Sequence, residues 1–530
     1  MLSYNPTTDA YIVAPRNEET RELVKQAALT LSTTAGCYFT HDPYAALAFI
    51  SQGDAGARAK LASFEADYRT SWATEYNGPS LAVPNGLAYH PFQAAGIAYA
   101  AARKNTLIGD QPGLGKTIQA IGLANHTGAR NVLVICPASV RLQWRKEILK
   151  WSVLAPRVRV YPIVRSSDGV NPHANYTIVS YDLARAEVIQ RLLAARKWDL
   201  VVVDEAHYLK SPGALRTRAI FGGGEGVFKD NFISKQAERI VALTGTPLPN
   251  RPRECYTILR ALCWDSIDWM SQEKFQFRYN PSETFIGENG RGKTVYAVGR
   301  LPELRARMRC NVMVRRHKKD VLKQLPATQY ELHYVEDTGA VRAALKAETM
   351  LGIEPGDNMF SLDGEAISTV RRMMGEAMAP QAADFIDMTL DGGVDKVVVF
   401  AWHKSVVKLL RDALDKYNPL VIDGNTSAVG KYRAVQEFRT DPARRLVIGN
   451  IMAVGTGTDG LQDVCQHAIF AEPDWVPGNN QQCVDRLHRI GQRGSVVAQF
   501  LVAPGSFAEK ILGDAIGKLH DINEALDGRA

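Results

Sequence analysis

Features that would restrict this chain to particular classes of protein are scarce in its 530 residues. No apolar run approaches the roughly 18 residues that cross a bilayer, so no membrane segment is expected. The N-terminus is charged by Arg16 and has no apolar stretch of the kind that marks a secretory signal. We therefore expect a cytoplasmic protein, or a nuclear one if the host is a eukaryote.

Cysteine is also used sparingly, as seven residues in an odd, scattered set without a C-x-x-C spacing. This pattern fits a reducing compartment and supports neither a zinc site nor a disulfide framework. We expect the cysteines to be small buried hydrophobic residues.

The length and charge balance describe a multidomain globular protein. A chain of 530 residues is too long for one hydrophobic core, and its apolar content of 46% is ordinary. The net charge of +7 is uneven, because residues 1–85 hold six Lys/Arg and nine Asp/Glu. Residues 300–323 hold nine Lys/Arg and two Asp/Glu. This second segment is either a solvated surface or a track for a phosphate backbone, with Arg305, Arg307 and Arg309 as candidate DNA contacts.

The most informative segment is Gly109–Thr117, which reads GDQPGLGKT between a short apolar run and a helix-like stretch. Gly113 and Gly115 allow backbone N–H groups to turn inward around a phosphate, which then faces a helix N-terminus. Lys116 can reach the β- and γ-phosphates of a nucleotide, and the Thr117 hydroxyl can ligate Mg²⁺. The segment therefore predicts a phosphate-binding loop.

A second motif follows the apolar run Leu200–Val203, which is typical of a buried parallel strand. Asp204 at its end is placed to hold magnesium, and Glu205 to orient or deprotonate an attacking water. The first motif has Asp110 where the general phosphate-loop pattern has glycine. Either motif alone fits a turn that matches the pattern by chance. Both together, in this order, indicate a nucleoside-triphosphate hydrolase.

Apolar strands alternate with helical patterns in two separate regions, which predicts two parallel sheets covered by helices. Residues 86–250 form the first α/β lobe, and residues 396–515 form the second. Residues 251–395 are mostly helical in pattern and are predicted to be an insertion. Residues 1–85 are predicted to be a small N-terminal α/β module, and residues 516–530 a C-terminal tail.

Near the end of the second lobe lies the segment Gln481–Gln492, which reads QQCVDRLHRIGQ. Arg486 and Arg489 are three residues apart and fall on one helical face, where they suit contact with a γ-phosphate. An arginine supplied in this way stabilises charge on the transferring phosphoryl group. The alternative is a surface helix with ordinary ion pairs.

These motifs resemble the superfamily-two helicases, and within them the Swi/Snf-type translocases. The resemblance covers residues 86–515 and looks closest to the compact branch of annealing helicases and their bacterial and phage relatives. Its matching segments are GLGKTIQAI (Gly113–Ile121), PASVRLQWRKEI (Pro137–Ile148), DEAHYLKSP (Asp204–Pro212), LTGTPLPN (Leu243–Asn250), RRHKKDVLKQLP (Arg315–Pro326), KVVVFAWHK (Lys396–Lys404) and DRLHRIGQ (Asp485–Gln492).

The resemblance implies two RecA-like lobes, with ATP and Mg²⁺ as cofactors. By this resemblance Gln93 looks like the residue that reads adenine, and Arg486 and Arg489 like finger arginines. Further residues implied by it couple hydrolysis to DNA contact: His207, Thr244 and Thr246.

Two segments depart from the family pattern. Gly455–Gln462 reads GTGTDGLQ where the family has AGGxGLNL, and Asp474–Pro477 reads DWVP where the family has DWNP. Both departures concern the expected coupling of hydrolysis to DNA rather than nucleotide binding.

We expect a monomeric motor that hydrolyses ATP on double-stranded or branched DNA and moves along the duplex in a bacterial or phage-infected cell. Three alternatives remain open at this stage. They are a helicase that separates strands, a catalytically inactive DNA-binding scaffold, and the motor subunit of a larger assembly.

Overall fold

The computed structural model describes residues 1–27, 29–31, 37–223, 231–245, 247, 251–286, 292–296, 299–322, 324–325, 328–351, 364–455 and 458–512. These residues form two compact units. Unit 1 consists mainly of residues 1–317, and unit 2 mainly of residues 318–512.

The N-terminal residues form a small antiparallel sheet with helices against it. The strand order is β1-β2-β4-β3. Asn17, Asp42 and Asp54 accept hydrogen bonds from backbone N–H groups in the first turns of the three helices, which fixes where each helix begins. The elements are β1 (Leu2–Asn5), β2 (Ala10–Val13), α1 (Glu18–Gln26), β3 (Thr30–Leu31), β4 (Tyr38–Thr40), α2 (Pro43–Leu47) and α3 (Ala55–Thr70).

A seven-stranded parallel sheet lies at the centre of unit 1, as the alternation of strands and helices predicts. Its inner strands are buried on both faces, which explains their continuous apolar runs. The elements up to the last long strand are α4 (Pro91–Ala101), β5 (Asn105–Ile108), α5 (Lys116–Thr127), β6 (Val132–Cys136), α6 (Arg141–Trp151), β7 (Val160–Pro162), β8 (Tyr176–Ser180), α7 (Tyr181–Ala184), α8 (Glu187–Ala195), β9 (Trp198–Asp204), α9 (Leu215–Phe221) and β10 (Ala237–Leu243).

The segment that follows returns to the same sheet. It contains α10 (Tyr256–Leu262), α11 (Gln272–Tyr279), β11 (Ser282–Ile286), β12 (Gly292–Tyr296), α12 (Leu301–Asn311) and β13 (Met313–Val314). Strand β13 pairs with β5, giving the order β13-β5-β10-β9-β6-β8-β7. The region predicted as one insertion, residues 251–395, is therefore divided between the two units.

Helix α12 is the part of unit 1 against which the N-terminal module packs. Leu2, Val24 and Leu61 of the module share one hydrophobic core with Ala306 and Cys310 of this helix. The module is consequently continuous with unit 1 rather than separate from it.

The arginines of α12 lie in this interface, and the prediction that they contact DNA is wrong. Arg305, Arg307 and Arg309 are at most 4% exposed. Arg307 forms ion pairs with Asp42 at 2.6 Å and with Glu303 at 3.0 Å. Because all three side chains are buried, they are not accessible to a phosphate backbone.

Arg309 is held by a different part of the module. Its guanidinium carbon lies 3.3 Å from the ring centroid of Trp72, and Nη1 donates to the Ser71 carbonyl at 3.4 Å. A cation over an indole ring is a favourable contact when both are desolvated.

Unit 2 is built on a six-stranded parallel sheet, in which the strands lie in the order β14-β19-β18-β15-β17-β16. The elements are α13 (Lys318–Val321), β14 (Gln329–Tyr334), α14 (Gly339–Leu351), α15 (Gly364–Asp391), β15 (Val397–Ala401), α16 (Lys404–Ala413), β16 (Leu420–Ile422), α17 (Ala428–Thr440), β17 (Leu446–Asn450), α18 (Ile451–Gly455), β18 (His467–Phe470), α19 (Pro477–Leu487) and β19 (Val497–Val502).

The fold class predicted from the sequence is confirmed: two RecA-like α/β lobes with parallel sheets. No helix among the residues described above is long and apolar enough to cross a membrane. The predicted C-terminal tail, residues 516–530, lies outside the described residues.

The interface between the module and α12 yields a prediction about stability. Asp42→Ala removes one of the three carboxylates that pair with the buried Arg307, and it also removes the cap of α2. We expect a loss of about 2–4 kcal/mol in the free energy of unfolding, since the buried guanidinium loses one charged hydrogen bond and α2 loses its cap. Urea denaturation followed by tryptophan fluorescence measures it.

Two control variants separate the causes of that loss. Asp42→Asn keeps a capping oxygen but removes the charge, so it should retain most of the loss. Asp9→Ala removes an exposed carboxylate 3.6 Å from Lys60 and should leave the denaturation midpoint nearly unchanged. Equal midpoints for wild type and Asp42→Ala would contradict the account of α12.

Candidate active site

Three motifs of unit 1 lie at the carboxyl ends of neighbouring strands. Strands β5, β10 and β9 are adjacent in the sheet, and Leu243 pairs in register with both Ile108 and Asp204. The phosphate loop follows β5, Asp204 ends β9, and Thr244 follows β10. This edge of a parallel α/β sheet is where such folds bind ligands.

The phosphate loop has the backbone that its glycines predict. Gly113 and Gly115 have φ angles of +87° and +75°, a region that favours glycine. Helix α5 begins at Lys116, so the N–H groups of its first turn and its positive end face the loop. The Lys116 Nζ donates to the Asp110 carbonyl at 2.8 Å.

The departure at Asp110 has a structural explanation. Its carboxylate is completely buried and pairs with Arg316, whose Nη2 and Nε donate at 2.5 and 2.9 Å. Gln119 Nε2 donates to it at 2.8 Å. Burial alone would raise the pKa of Asp110, but the Arg316 guanidinium and these hydrogen bonds hold that pKa below its ordinary value. An aspartate here anchors the loop to the rest of the unit.

Gly96 of α4 makes this anchor possible. A Cβ at this position would collide with the Gln119 Oε1 and lie 2.5 Å from the Arg316 Nη2. The buried pair therefore depends on a close approach that only glycine permits.

The two acidic residues after β9 are partly buried. The Asp204 carboxylate accepts from Trp144 Nε1 at 2.8 Å and from the Glu205 backbone N–H at 3.0 Å. Burial and the neighbouring Glu205 charge raise the pKa of Asp204 to about 6, while the Lys116 charge opposes this change. The lysine of the phosphate loop and the acidic pair therefore share one electrostatic environment.

Glu205 has a φ of 52°, which is uncommon for a residue with a side chain. Outliers of this kind occur where the surrounding structure fixes a functional side chain.

The residues around the loop fit a magnesium ion held jointly with a nucleotide. A divalent cation beside Asp204 would offset the two effects that raise its pKa. Across the described part of the chain, no group of three or more His, Cys, Asp or Glu side chains is arranged to hold a metal. Mg²⁺ is commonly bound through one or two protein oxygens plus phosphates, and Asp204 and Thr117 are the residues that would hold it here.

His207 connects the acidic pair to the end of β10. Its Nδ1 lies 3.1 Å from the Thr244 Oγ1 and 3.3 Å from the Glu205 Oε2. The predicted partners His207 and Thr244 are thus in contact, whereas Thr246 lies outside the described residues.

Gln93 lies next to the phosphate loop and is fully buried. Its Oε1 accepts from the His90 N–H at 3.1 Å, and a Cβ at Gly115 would lie 2.5 Å from its Nε2. Contact with adenine remains a prediction.

The two predicted finger arginines belong to unit 2 and have different partners. Arg486 Nε donates to the Gly455 carbonyl at 2.8 Å. Arg489 Nη1 lies 3.0 Å from the carboxylate of Asp459, a residue of the segment that departs from the family pattern. Lys318 supports the same turn, because its Nζ pairs with Asp485 at 2.5 Å and donates to the His488 carbonyl.

Sequence reasoning missed two side chains that fix Asp204. Trp144 binds its carboxylate, and Tyr181 Oη donates to its backbone carbonyl at 2.5 Å. Trp144 lies in a segment that matches the family, but no spacing in the sequence connects it to Asp204.

The anchor of the phosphate loop predicts the effect of one substitution. Arg316→Met keeps an unbranched side chain and leaves the Asp110 carboxylate buried without its cation. We expect the free energy of unfolding to fall by about 3–5 kcal/mol, measured by urea denaturation. Arg439→Met, which breaks a partly exposed pair with Asp463 at 2.7 Å, should cost less than about 1 kcal/mol. Similar losses in both variants would show that the Asp110 pair is not a buried anchor.

Comparison with known families agrees with these observations. The model of the SNF2-related domain matches residues 92–346, and the model of the helicase conserved C-terminal domain matches residues 381–491.

The similarity of the chain to individual proteins agrees with the match to these family models. The chain is 29% identical to the mouse "DNA annealing helicase and endonuclease ZRANB3" over 83% of this chain and 41% of that protein. It is 31% identical to a Xenopus tropicalis "SWI/SNF-related matrix-associated actin-dependent regulator of chromatin subfamily A-like protein 1", over 78% and 42%. The chain thus spans about two fifths of the length of these relatives.

Among solved structures, the "Sulfolobus solfataricus SWI2/SNF2 ATPase core in complex with dsDNA" is 20% identical, with a TM-score of 0.40, and covers 86% of this chain and 96% of that one. The two family models together match most of both lobes. The chain belongs to the Swi/Snf-type branch of the superfamily-two helicases.

Proposed function

We propose that this chain hydrolyses ATP when it is bound to DNA and uses the energy to move along the duplex. The observation that carries the proposal is the placement of Lys116, Asp204 and Glu205 at neighbouring strand ends of one sheet. The family adds that such cores are ATP-driven, and the two relatives named above act on DNA or chromatin according to their names.

In the proposed reaction, Lys116 leaves the Asp110 carbonyl and neutralises the β- and γ-phosphates. Mg²⁺, held by Thr117 and Asp204, would supply further positive charge at those phosphates. Glu205 orients the attacking water and accepts its proton as the phosphorus–oxygen bond to the leaving ADP breaks. Trp144 and Tyr181 keep Asp204 in place, so the acidic pair needs no rearrangement during the reaction.

The second lobe contributes positive charge in the transition state. We propose that Arg489 exchanges the Asp459 carboxylate for the γ-phosphate, which carries more negative charge. The pair is partly exposed, with side chains 22% and 33% accessible, so breaking it costs little. Arg486 is proposed to act beside it.

Coupling to DNA is proposed to run through His207. Its contacts with Glu205 and Thr244 connect the residue that activates water to the end of β10. A shift of Thr244 on DNA binding would then alter the orientation of Glu205. Thr246 is proposed to belong to the same coupling motif.

The substrate is proposed to be double-stranded or branched DNA, bound mainly through its phosphates and nearly without regard to sequence. The chain is proposed to act as a monomer, in the bacterial cytoplasm or in a nucleus, wherever that DNA is. Rearrangement of branched DNA, as in the relatives named annealing helicases, is favoured over strand separation.

One experiment tests the central proposal: the rate of phosphate release with no DNA, duplex, single-stranded and forked DNA. Stimulation by duplex is expected, and no stimulation by any DNA would refute the proposal. Displacement of a third strand from a triplex without separation of a duplex would distinguish translocation from strand separation.

Glu205→Gln tests which residue activates water. The variant should bind ATP with near wild-type affinity, because the amide retains the size of the side chain. It should hydrolyse ATP orders of magnitude more slowly, because it cannot accept a proton. Nucleotide affinity is measured with a fluorescent ATP analogue and turnover by phosphate release. A wild-type rate would show that another group activates the water.

Arg489→Ala tests the finger arginine. We expect kcat to fall by about 10³- to 10⁵-fold with little change in KM, since such an arginine acts mainly in the transition state. Asp459→Asn, which removes the partner but keeps the arginine, should retain DNA-stimulated turnover. A loss of ATP affinity with kcat preserved would make Arg489 a ground-state phosphate ligand instead.

A further inference from the structure

Two tryptophans of unit 1 form a stack on the surface between α10 and α11. The rings of Trp264 and Trp269 have centroids 5.3 Å apart and planes inclined by 16°. The guanidinium carbon of Arg260 lies 5.4 Å from the centroid of Trp264. We refer to Trp264 and Trp269 as the tryptophan stack.

The outer ring of the stack is open to solvent. Trp269 is 68% exposed, whereas Trp264 is 37% exposed and contacts both Arg260 and Trp269. Tryptophan is highly buried on average, so a ring with this degree of exposure is unusual.

The exposed ring is nevertheless held in one orientation. Trp269 Nε1 donates to Asp265 Oδ1 at 3.0 Å, and the Trp269 backbone N–H donates to the Trp264 carbonyl at 3.2 Å. Asp268 and Trp269 both have φ angles near +52°, at 52° and 53°. Two consecutive left-handed residues are unusual, and for a bulky residue the conformation is a clear outlier. The backbone departs from its preferred conformation to present this ring.

We propose that the exposed face of Trp269 stacks on an unpaired base of DNA. A base stacked on Trp269 would lie parallel to the two indole rings of the tryptophan stack. Every base has a planar π-face, so such a contact does not depend on the DNA sequence. The inference rests on the proposed function, because it assumes that DNA is the substrate. It adds a means of distinguishing branched from fully paired DNA.

The surroundings of the ring favour a base over a protein partner. Protein interfaces place their aromatic anchors at the centre of a well-packed, desolvated patch. Here the exposed residues between positions 268 and 274, apart from Trp269 itself, are all polar or charged: Asp268, Ser271, Gln272, Glu273 and Lys274. One planar ligand on one ring needs no apolar patch around it.

The nearby acidic groups do not prevent the approach of DNA. Asp265 accepts the indole N–H of Trp269, and Asp268 lies 3.4 Å from Arg307. Arg260 and Lys274 are exposed and offset the remaining acidic charge. Because local charge nearly cancels, we infer that the contact contributes by stacking and not by phosphate neutralisation.

The test is the affinity of Trp269→Ala for a forked DNA with unpaired arms and for a blunt duplex of the same paired sequence. Fluorescence anisotropy is measured over a range of salt concentrations. We expect affinity for the fork to fall by about 5- to 150-fold, the range for loss of one base stack. Affinity for the duplex should stay within about twofold of the wild type, and the slope of log K against log salt should not change, because no phosphate contact is lost.

Two variants provide controls. Trp269→Phe keeps an aromatic face and should restore most of the affinity for the fork. Phe277→Ala removes a ring that is 81% exposed on α11 but outside the tryptophan stack, and it should bind both DNAs like the wild type. Circular dichroism and duplex-stimulated ATPase of each variant show that the fold is retained.

Three outcomes would overturn the inference. They are an unchanged affinity of Trp269→Ala for the fork, an equal loss on fork and duplex, and an equal loss in Phe277→Ala. Failure of the proposed function has a different signature, since it would appear as a wild-type protein that no duplex DNA stimulates.

Discussion

The buried pair between Asp110 and Arg316 is the interaction on which the arrangement of unit 1 depends. It ties the start of the phosphate loop to the residues that follow β13, and Gly96 leaves the space it occupies. Arg315 reinforces the connection by donating to the Gly109 carbonyl at 2.5 Å. The chain passes into unit 2 directly after these residues, where Lys318 holds the turn that carries Arg489. Two consecutive arginines and one lysine therefore anchor the segment that joins the lobes.

Asp204 and Glu205 are adjacent in sequence, but their carboxylates have different surroundings. Asp204 is fixed by Trp144 and Tyr181 and has its pKa raised to about 6, while Glu205 lies in a left-handed conformation beside His207. Such separation of environments is how adjacent acids come to do different work. It depends on side chains from α6 and α7, which are remote in sequence from the motif they support.

Local sequence predicted the α/β lobes and the phosphate loop, because strand runs and glycine positions are set by nearby residues. The link between His207 and Thr244 followed from the family resemblance and not from any local pattern. It failed for Arg305, Arg307 and Arg309, because a charge count along one helix ignores acids brought to it by the fold. Helix α3 was also missed, since only Ala57 and Leu61 of its residues are buried and its apolar periodicity is weak. The partners of Asp110 and of Arg489 lie on distant segments, and no spacing rule finds them.

Because α12 packs against the N-terminal residues, the boundary of the family match differs from the boundary of the hydrophobic core. The match to the family begins at residue 92, but the cooperative folding unit begins at the first strand. A fragment trimmed to the family match would expose Ala306 and Cys310 and leave Arg307 without Asp42 and Arg309 without its indole. In this chain, the limits of the family match are therefore poor guides to where the polypeptide can be truncated. An insoluble fragment would not show whether residues 1–85 take part in catalysis.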